Sequence, residues 1–257
     1  MRQTKNDRSP NGAASRAIRS IGTVILSLTA FVAAVGTMSG CGDTRQNKDL
    51  AFLRTLHLSP DAPAVDVFLN GFPTPVVTAL PFLSSSAYLG IEQGGYDIAV
   101  SATGGSPAQA VLNRALPLLE GQIVTIVAFN NLATIQALVL FDDLSDPGAG
   151  MIRVRAVHTA AGVGQVDIYE VSDPGSPTLL AENLDFGSDT GEFELASGTA
   201  YTVGLDTNND AVAELTFAVP ALDAGTIANL FAVSSGGDVF LLVQFSNGQT
   251  VRIDPEA

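Results

Sequence analysis

The feature that most constrains the fold of this chain is an internal repeat of about 100 residues. Residues 53–57 (LRTLH) align with residues 154–158 (VRAVH), and residues 65–68 (VDVF) align with residues 166–169 (VDIY), at a common offset of 101. Later segments continue the match at offsets of 104 and 105. An offset that changes only by loop-sized steps indicates a tandem duplication, and a repeat of this length suits an independent domain rather than a solenoid unit.

The two copies predict two domains, residues 51–144 and 151–257, joined by a linker over residues 145–150. The linker sequence SDPGAG has the glycine and proline content that is typical of a turn or loop. Because it has only six residues, we expect the domains to lie end to end with limited freedom.

Within each copy, short runs of apolar and β-branched residues alternate with clusters of Gly, Pro, Asn and Asp, which is typical of strands and turns. About seven such runs per copy, without a helical period, predict an all-β chain of two tandem immunoglobulin-like β-sandwich domains. The cysteine pair and tryptophan of antibody domains are missing, and Asn247-Gly248 predicts a closing hairpin. The predicted strands are 52–58, 65–69, 87–91, 96–101, 110–116, 123–129, 137–141, 151–158, 166–170, 191–195, 201–205, 212–219, 226–233 and 239–245.

The first 40 residues have the pattern of an export signal. Five basic residues lie within the first 19, residues 21–35 are apolar and uncharged, and Met-Ser-Gly directly precedes Cys41. A membrane-spanning helix needs roughly 20 apolar residues, so an uncleaved anchor is the weaker alternative. The sequence predicts a signal peptide over residues 1–40, followed by a tether over residues 41–50.

The residues around Cys41 resemble the lipobox of bacterial lipoproteins. That resemblance implies cleavage before Cys41, a diacylglycerol on its sulfur and a further acyl chain, such as palmitate, on the new amino terminus. Gly42, and not an aspartate, directly follows Cys41. In enterobacteria this would favour release of the lipoprotein to the outer membrane. The resemblance therefore implies an exported protein held in the cell envelope by lipid on Cys41, and the tether allows at most roughly 35 Å between lipid and domain.

The composition of the segment after residue 40 excludes some classes of partner. It contains 7 basic and 25 acidic residues, a net charge of −18. A surface of this charge is repelled by nucleic acid and by anionic membranes, so we expect no nucleic-acid partner. Cys41 is the only cysteine, so no disulfide can form within the chain, and we expect an apolar core alone to hold the fold.

Residues 56–71 (LHLSPDAPAVDVFLNG) resemble the opening motif of a bacterial cell-envelope domain family. The family is catalogued as a domain of unknown function, and its members often occur in tandem on exported proteins. The second copy keeps Val157-His158 and residues 166–169, but residues 159–164 (TAAGVG) replace the Ser-Pro-Asp-Ala-Pro turn. The resemblance implies a β fold and an envelope location, and it implies no chemistry.

The motif residues predict structural roles. His57 and His158 occupy equivalent places at the ends of inward strand faces, where we expect each to bond a backbone group across a loop; a metal or catalytic role is the alternative. Ser59, Pro60 and Asp61 predict a turn in which Asp61 bonds nearby amides, with a ligand-binding loop as the alternative. Alternation in the strand turns Asp66 and Asp167 away from the core, towards solvent or a neighbouring loop.

One loop has the oxygen spacing of a calcium site, at Asp206, Asn208 and Asp210. The rest of an EF-hand is missing, because Ala211 and Phe217 occupy its sixth and twelfth positions. We therefore favour a plain hairpin loop, with calcium as the alternative.

The sequence lacks the local signatures of hydrolases, zinc proteases and nucleotide-binding enzymes. It therefore predicts no enzyme and no cofactor. The favoured function is a lipid-anchored, non-catalytic module for binding, adhesion or structure, with an envelope protein or a glycan as partner. A receptor for a small ligand, calcium or a glycan, is the second hypothesis, and a carboxylate-based hydrolase is the third.

Overall fold

The computed structural model describes residues 49–173 and 175–256; the predicted signal peptide, Cys41 and nearly all of the predicted tether lie outside these residues. The described chain is built almost entirely of strands, with two short 3-10 helices at Pro107–Gln109 and Leu132–Thr134. The prediction of an all-β fold of tandem β-sandwiches is confirmed. Within the described residues, no helix is long and apolar enough to cross a membrane.

Each repeat contains nine strands. In the first repeat they are β1 Leu50–Leu58, β2 Val65–Leu69, β3 Val77–Leu80, β4 Ser84–Ser85, β5 Leu89–Glu92, β6 Gly94–Ala102, β7 Leu112–Leu118, β8 Ile123–Phe129 and β9 Gln136–Phe141. In the second repeat they are β10 Met151–Thr159, β11 Val166–Glu170, β12 Thr178–Leu184, β13 Phe193–Ala196, β14 Tyr201–Asp206, β15 Leu215–Val219, β16 Ile227–Ser235, β17 Asp238–Phe245 and β18 Thr250–Ile253.

The strands of each repeat form two sheets. In the first repeat, the inner sheet has the order β4-β1-β8-β9, with β5 also paired to β1, and the outer sheet has the order β3-β2-β6-β7. In the second repeat, the inner sheet is β13-β10-β16-β17-β18 and the outer sheet is β12-β11-β14-β15. The same arrangement of corresponding strands in both halves is what a duplicated sequence should produce.

One parallel pair lies at the centre of each inner sheet. β1 runs parallel to β8 with Phe52 opposite Ile123, and β10 runs parallel to β16 with Arg153 opposite Ile227. Parallel neighbours finish at the same edge of a sheet. We call the end of the molecule where β1 begins the proximal end, and the end where β1 and β8 finish the distal end.

Three hydrophobic clusters hold the four sheets together. The first lies between the two sheets of the first repeat and includes Leu53 and Val67, and the third lies between the two sheets of the second repeat and includes Ile168 and Phe217. Both follow from period-two alternation, which directs every second side chain of a strand towards the facing sheet.

The second cluster joins the repeats. The inner sheets pack against each other through apolar side chains on their other faces, so β1 is buried on both sides for most of its length. The repeats are therefore side by side along these sheets instead of end to end, and the linker is one connection among many. The cluster contains Leu56, Leu58, Val127, Phe129, Leu140, Val157, Phe231, Val233, Phe240 and Leu242.

Candidate functional site

The motif turn of the first repeat follows β1 at the distal end. The amide of Ala62 donates to the carbonyl oxygen of Ser59 at 3.4 Å, which closes the turn. His57, fully buried at the end of β1, has Nε2 3.1 Å from the carbonyl oxygen of Pro63, and its Nδ1 accepts from the amide of Ser59 at 3.4 Å. Since Nδ1 accepts, the ring carries its proton on Nε2 and is neutral. The histidine is thus part of the turn's own hydrogen bonding.

The second repeat reproduces this contact without the motif sequence. His158 Nε2 lies 2.7 Å from the carbonyl oxygen of Gly164, while its Nδ1 has no hydrogen-bond partner within the described chain. The acceptor is a backbone carbonyl in both repeats, so the loop side chains can change without loss of the bond. Burial lowers the pKa of both His57 and His158, although the carbonyl contacts oppose the shift.

Asp61 bonds a distant loop and not the amides beside it. Its Oδ1 accepts from the amide of Leu132 at 2.7 Å, 71 residues further along the chain. Leu132 begins the 3-10 helix after β8. Asp61 therefore fixes the motif turn against the loop that follows β8. Ser59 is fully buried, and its Oγ has no partner within the described residues.

Asp66 and Asp167 are buried, 5% and 8% exposed, rather than solvated. The carboxylate of Asp66 accepts from the amides of Ala79 at 2.7 Å and Gly104 at 2.9 Å. Asp167 accepts from the amide of Asn183 at 2.6 Å. Both side chains therefore bond neighbouring backbone instead of water: Ala79 and Asn183 lie in the edge strands β3 and β12, and only Gly104 lies in a loop.

At the distal end, loops from both repeats enclose a cleft of about 370 Å³. The loops are those that follow β1, β8 and β10, together with the turn between β16 and β17. We call this space the distal cleft. Its lining residues are Pro60, Asn131, Ala161, Gly162, Val163, Ser234, Ser235, Gly236, Gly237 and Val239.

The chemistry of the distal cleft is polar and uncharged. Among its described lining residues there is no acid, no base and no histidine, although the whole chain has a net charge of −14. Ser234 Oγ donates to the carbonyl oxygen of Ala161 at 2.9 Å, which ties two of the loops together. Gly162 and Gly236 have φ of 82° and 65°, which L side chains rarely adopt. A Cβ at either position would meet no atom within 4 Å, so the backbone here is open to a ligand. The cleft offers hydroxyl, amide and backbone groups.

Two residues of the calcium alternative lie beside a third carboxylate, that of Glu214, which the spacing did not predict. Carboxylate oxygens of Asp206, Asp210 and Glu214 lie within 4.8 Å of one another. Asn208 bonds to two of these carboxylates: its Nδ2 donates to Glu214 Oε1 at 2.5 Å, and its amide donates to Asp206 at 3.0 Å. The amide of Ala211 also donates to Asp206, at 2.7 Å.

These bonds join the residues of the hairpin between β14 and β15. Burial acts to raise the pKa of Asp206, but amides of the loop donate to its carboxylate and bring the pKa below the usual value. The carboxylate of Asp206 therefore stays ionised, with its oxygens bonded to backbone amides of its own loop. These bonds are those of a plain hairpin loop, and calcium stays the alternative.

A buried ionic cluster between the repeats was missed by the sequence analysis. Asp142, in the segment after β9, accepts from Tyr88 Oη at 2.7 Å and from Thr125 Oγ1. Its carboxylate also lies 3.6 Å from the guanidinium of Arg54 and 3.3 Å from that of Arg155, and all three charged side chains are at most 5% exposed. We call these five residues the inter-repeat cluster.

The cluster follows the repeat symmetry. Arg54 of β1 donates to the carbonyl oxygen of Phe245 in the second repeat at 2.9 Å, and Arg155 of β10 donates to that of Phe141 in the first repeat at 2.5 Å. Glu192 also binds Arg155, at 2.8 Å. The two arginines occupy matched positions of the repeat. This match is the sequence signal that could have revealed the cluster. The fold is therefore held by buried charges as well as by its apolar core.

One family model is similar to a part of the chain. Residues 51–169 match the family model described as a domain of unknown function (DUF4397), from β1 into β11 of the second repeat. No curated protein matches the chain.

Two solved structures are similar over much of the chain. One is described as the Bacillus anthracis TIE protein, with 12% identity and a TM-score of 0.22. The match covers 80% of this chain and 44% of that one. The other, described as alpha-glucan binding by a streptococcal virulence factor, has 13% identity and a TM-score of 0.23, and the match covers 70% of this chain and 92% of that one. Scores this low carry no inference about architecture or ligand.

Proposed function

We propose that this chain is a lipid-anchored, non-catalytic binding module of the bacterial cell envelope, and that its binding surface is the distal cleft. One observation carries the proposal: loops from both repeats, including the motif turn, converge on this cleft. Binding sites are commonly concave and built from loops held by a rigid scaffold. A duplicated pair of sandwiches would provide that scaffold.

The lining of the distal cleft supports binding over catalysis. General acid–base or nucleophilic chemistry needs a titratable or activated group positioned at the substrate. The described lining residues offer an amide at Asn131 and hydroxyls at Ser234 and Ser235, and the two histidines instead bond backbone carbonyls. These groups suit hydrogen bonding to an uncharged partner.

The favoured partner is an uncharged, extended segment of another envelope protein. Backbone and side-chain donors and acceptors in the cleft match the peptide groups of such a segment, and the absence of charge avoids the cost of burying an unpaired ion. A neutral glycan is the second candidate, because the same hydroxyl and amide groups can bond sugar hydroxyls.

Site-specific photo-cross-linking in intact cells tests the cleft. A photo-reactive residue in place of Asn131, which is exposed at the rim of the cleft, should give a reproducible adduct. The same replacement of Asn113, an exposed asparagine on β7, is the matched control and should give none. Sensitivity of the adduct to a protease or to a glycosidase distinguishes a protein from a glycan. Equal adducts from both positions, or none from position 131, would rule out the distal cleft as the binding surface.

Lipid anchoring is tested separately. The Cys41→Ala variant removes the only thiol that could carry the lipid, so we expect the protein to move from the membrane fraction to the soluble fraction. Metabolic labelling with a palmitate analogue should mark the parent protein and not the variant. An alanine variant that stayed in the membrane would contradict the lipoprotein interpretation.

A further inference from the structure

Large exposed apolar side chains gather at the proximal end of the first repeat. Phe52 and Leu89 lie on neighbouring strands near the start of β1, with Leu89 opposite Leu53. Phe141 pairs with Val124 near the start of β8 and is 55% exposed. These residues lie on three strands of one inner sheet.

Two loops add to the same end. Leu119 is 60% exposed in the turn before β8, where the amide of Gly121 donates to the carbonyl oxygen of Leu50 at 2.8 Å. Phe72 is 64% exposed in the loop after β2, where the amide of Asn70 donates to the carbonyl oxygen of Asp97 at 2.8 Å. Asp97 lies in the first half of β6, which starts beside the beginning of β1. We call the five residues the proximal rim: Phe52, Phe72, Leu89, Leu119 and Phe141.

Exposed phenylalanine side chains occur at the rim and not over the rest of the described surface. All three exposed phenylalanines of the described residues belong to it. The distal cleft, at the other end of β1, is lined by small and uncharged residues. β1 has nine residues, so the two ends are separated by about 30 Å. The first repeat therefore carries an apolar rim at its proximal end, and the distal end carries the uncharged polar cleft.

The position of Cys41 along the chain indicates what the proximal rim faces. The described residues begin at Asp49, directly before β1, and only seven residues lie between Cys41 and Asp49. Even fully extended, this segment spans roughly 30 Å. A lipid on Cys41 would keep the proximal end, and not the distal end, within reach of the bilayer surface.

We propose that the proximal rim seats the protein on the lipid leaflet that holds its anchor, so that the distal cleft faces away from the membrane. Apolar side chains that enter the interfacial region add to the membrane affinity in proportion to their buried area. The proposal rests on lipidation at Cys41, which belongs to the proposed function.

The charges around the rim determine which lipid surface fits. Asp49, Glu92 and Glu120 are exposed beside it, and anionic headgroups would repel them. The rim therefore suits a zwitterionic surface, and its insertion should be shallow.

The chain has no tryptophan, so a single introduced tryptophan reports on depth without background. Leu119→Trp and Phe72→Trp place the probe on the rim. Val111→Trp is the matched control, because Val111 is also exposed but lies beside the distal hairpin between β6 and β7. The lipidated proteins are reconstituted on phosphatidylcholine vesicles that contain brominated phosphatidylcholine, which quenches tryptophan at short range.

We expect vesicle-bound Leu119→Trp and Phe72→Trp to be quenched at least twofold more than Val111→Trp, and less strongly when anionic lipid is added. Equal quenching of the rim and control probes on vesicles that carry the protein would overturn the seating proposal and leave the lipid anchor intact. Lipid-labelled protein that does not float with the vesicles would overturn the anchor, and the seating proposal with it.

Discussion

At the scale of single residues, the two histidines show how a backbone acceptor preserves a contact while the surrounding sequence changes. His57 and His158 bond the carbonyl oxygens of Pro63 and Gly164, each six residues further along the chain. Neither proline nor glycine contributes a side-chain acceptor. The shared requirement is a buried neutral imidazole at the end of an inner strand, which holds the following loop in place.

Stability should therefore fall as the pH is lowered from 7 to 5. Burial lowers the pKa of both histidines in the folded protein, whereas in the unfolded chain it is about 6.5. The unfolded state binds more protons between these pKa values, so acidification favours unfolding. Urea denaturation at several pH values measures the effect.

The double variant His57→Gln/His158→Gln is the control for this pH dependence. It should be less stable at pH 7 and should lose less free energy of unfolding between pH 7 and 5. A pH dependence as steep as that of the parent protein would show that other groups cause it.

At the scale of strands, the outer sheets depend on two buried carboxylates. The register of β2 with β3 shifts between Val65 and Val67, and Ala79 has φ of 50° at this irregularity. Asp66 accepts the amide of Ala79, and Asp167 accepts that of Asn183, which has φ of 51° at the equivalent place. Both repeats therefore have a bulge at this place, and in both an aspartate bonds the backbone amide of the irregular residue.

Asp66→Ala should lower the free energy of unfolding by roughly 1–3 kcal/mol, because it leaves buried amides without an acceptor. Asp66 accepts two amides and Asp167 accepts one, so Asp167→Ala should cost less. Asp97→Ala, at an exposed aspartate on β6, is the control and should change stability little. Chemical denaturation measures all three, and equal losses for Asp66→Ala and Asp97→Ala would contradict the role in the bulge.

At the scale of the whole molecule, the repeats should unfold as one unit. The second hydrophobic cluster and the inter-repeat cluster both lie between the inner sheets. Separating the repeats would expose apolar side chains and two paired guanidinium groups to water. We expect a single calorimetric transition that contains both repeats.

Asp142→Ala should reduce the free energy of unfolding by about 3–5 kcal/mol, because it leaves Arg54 and Arg155 buried without their shared counter-charge. Asp143→Ala removes the neighbouring aspartate, which is 55% exposed and pairs with Arg153, and should cost at most about 1 kcal/mol. Differential scanning calorimetry compares the two variants. Two transitions in the parent protein, or equal effects of the variants, would contradict the coupling between repeats.

The strands that the sequence predicted well are those with strong alternation or continuous apolar runs. Residues 65–69, 123–129 and 166–170 have the predicted bounds, and the hairpin at Asn247-Gly248 leads into β18. β3, β4 and β12 were missed. All three lie at sheet edges or are short, and much of their surface is exposed, so no hydrophobic pattern marks them.

The sequence by itself determined the β class and the internal repeat, and it predicted the motif turn and a backbone contact for each histidine, because alternation, turn residues and repeats are local along the chain. Only the tertiary structure decided that the inner sheets face each other, that Arg54 and Arg155 meet at Asp142, and that loops of both repeats enclose one cleft. These features join residues of different repeats, such as Arg54 and Phe245, which are 191 positions apart. A period-two pattern indicates which face of a strand is buried, but it does not indicate which other element covers that face.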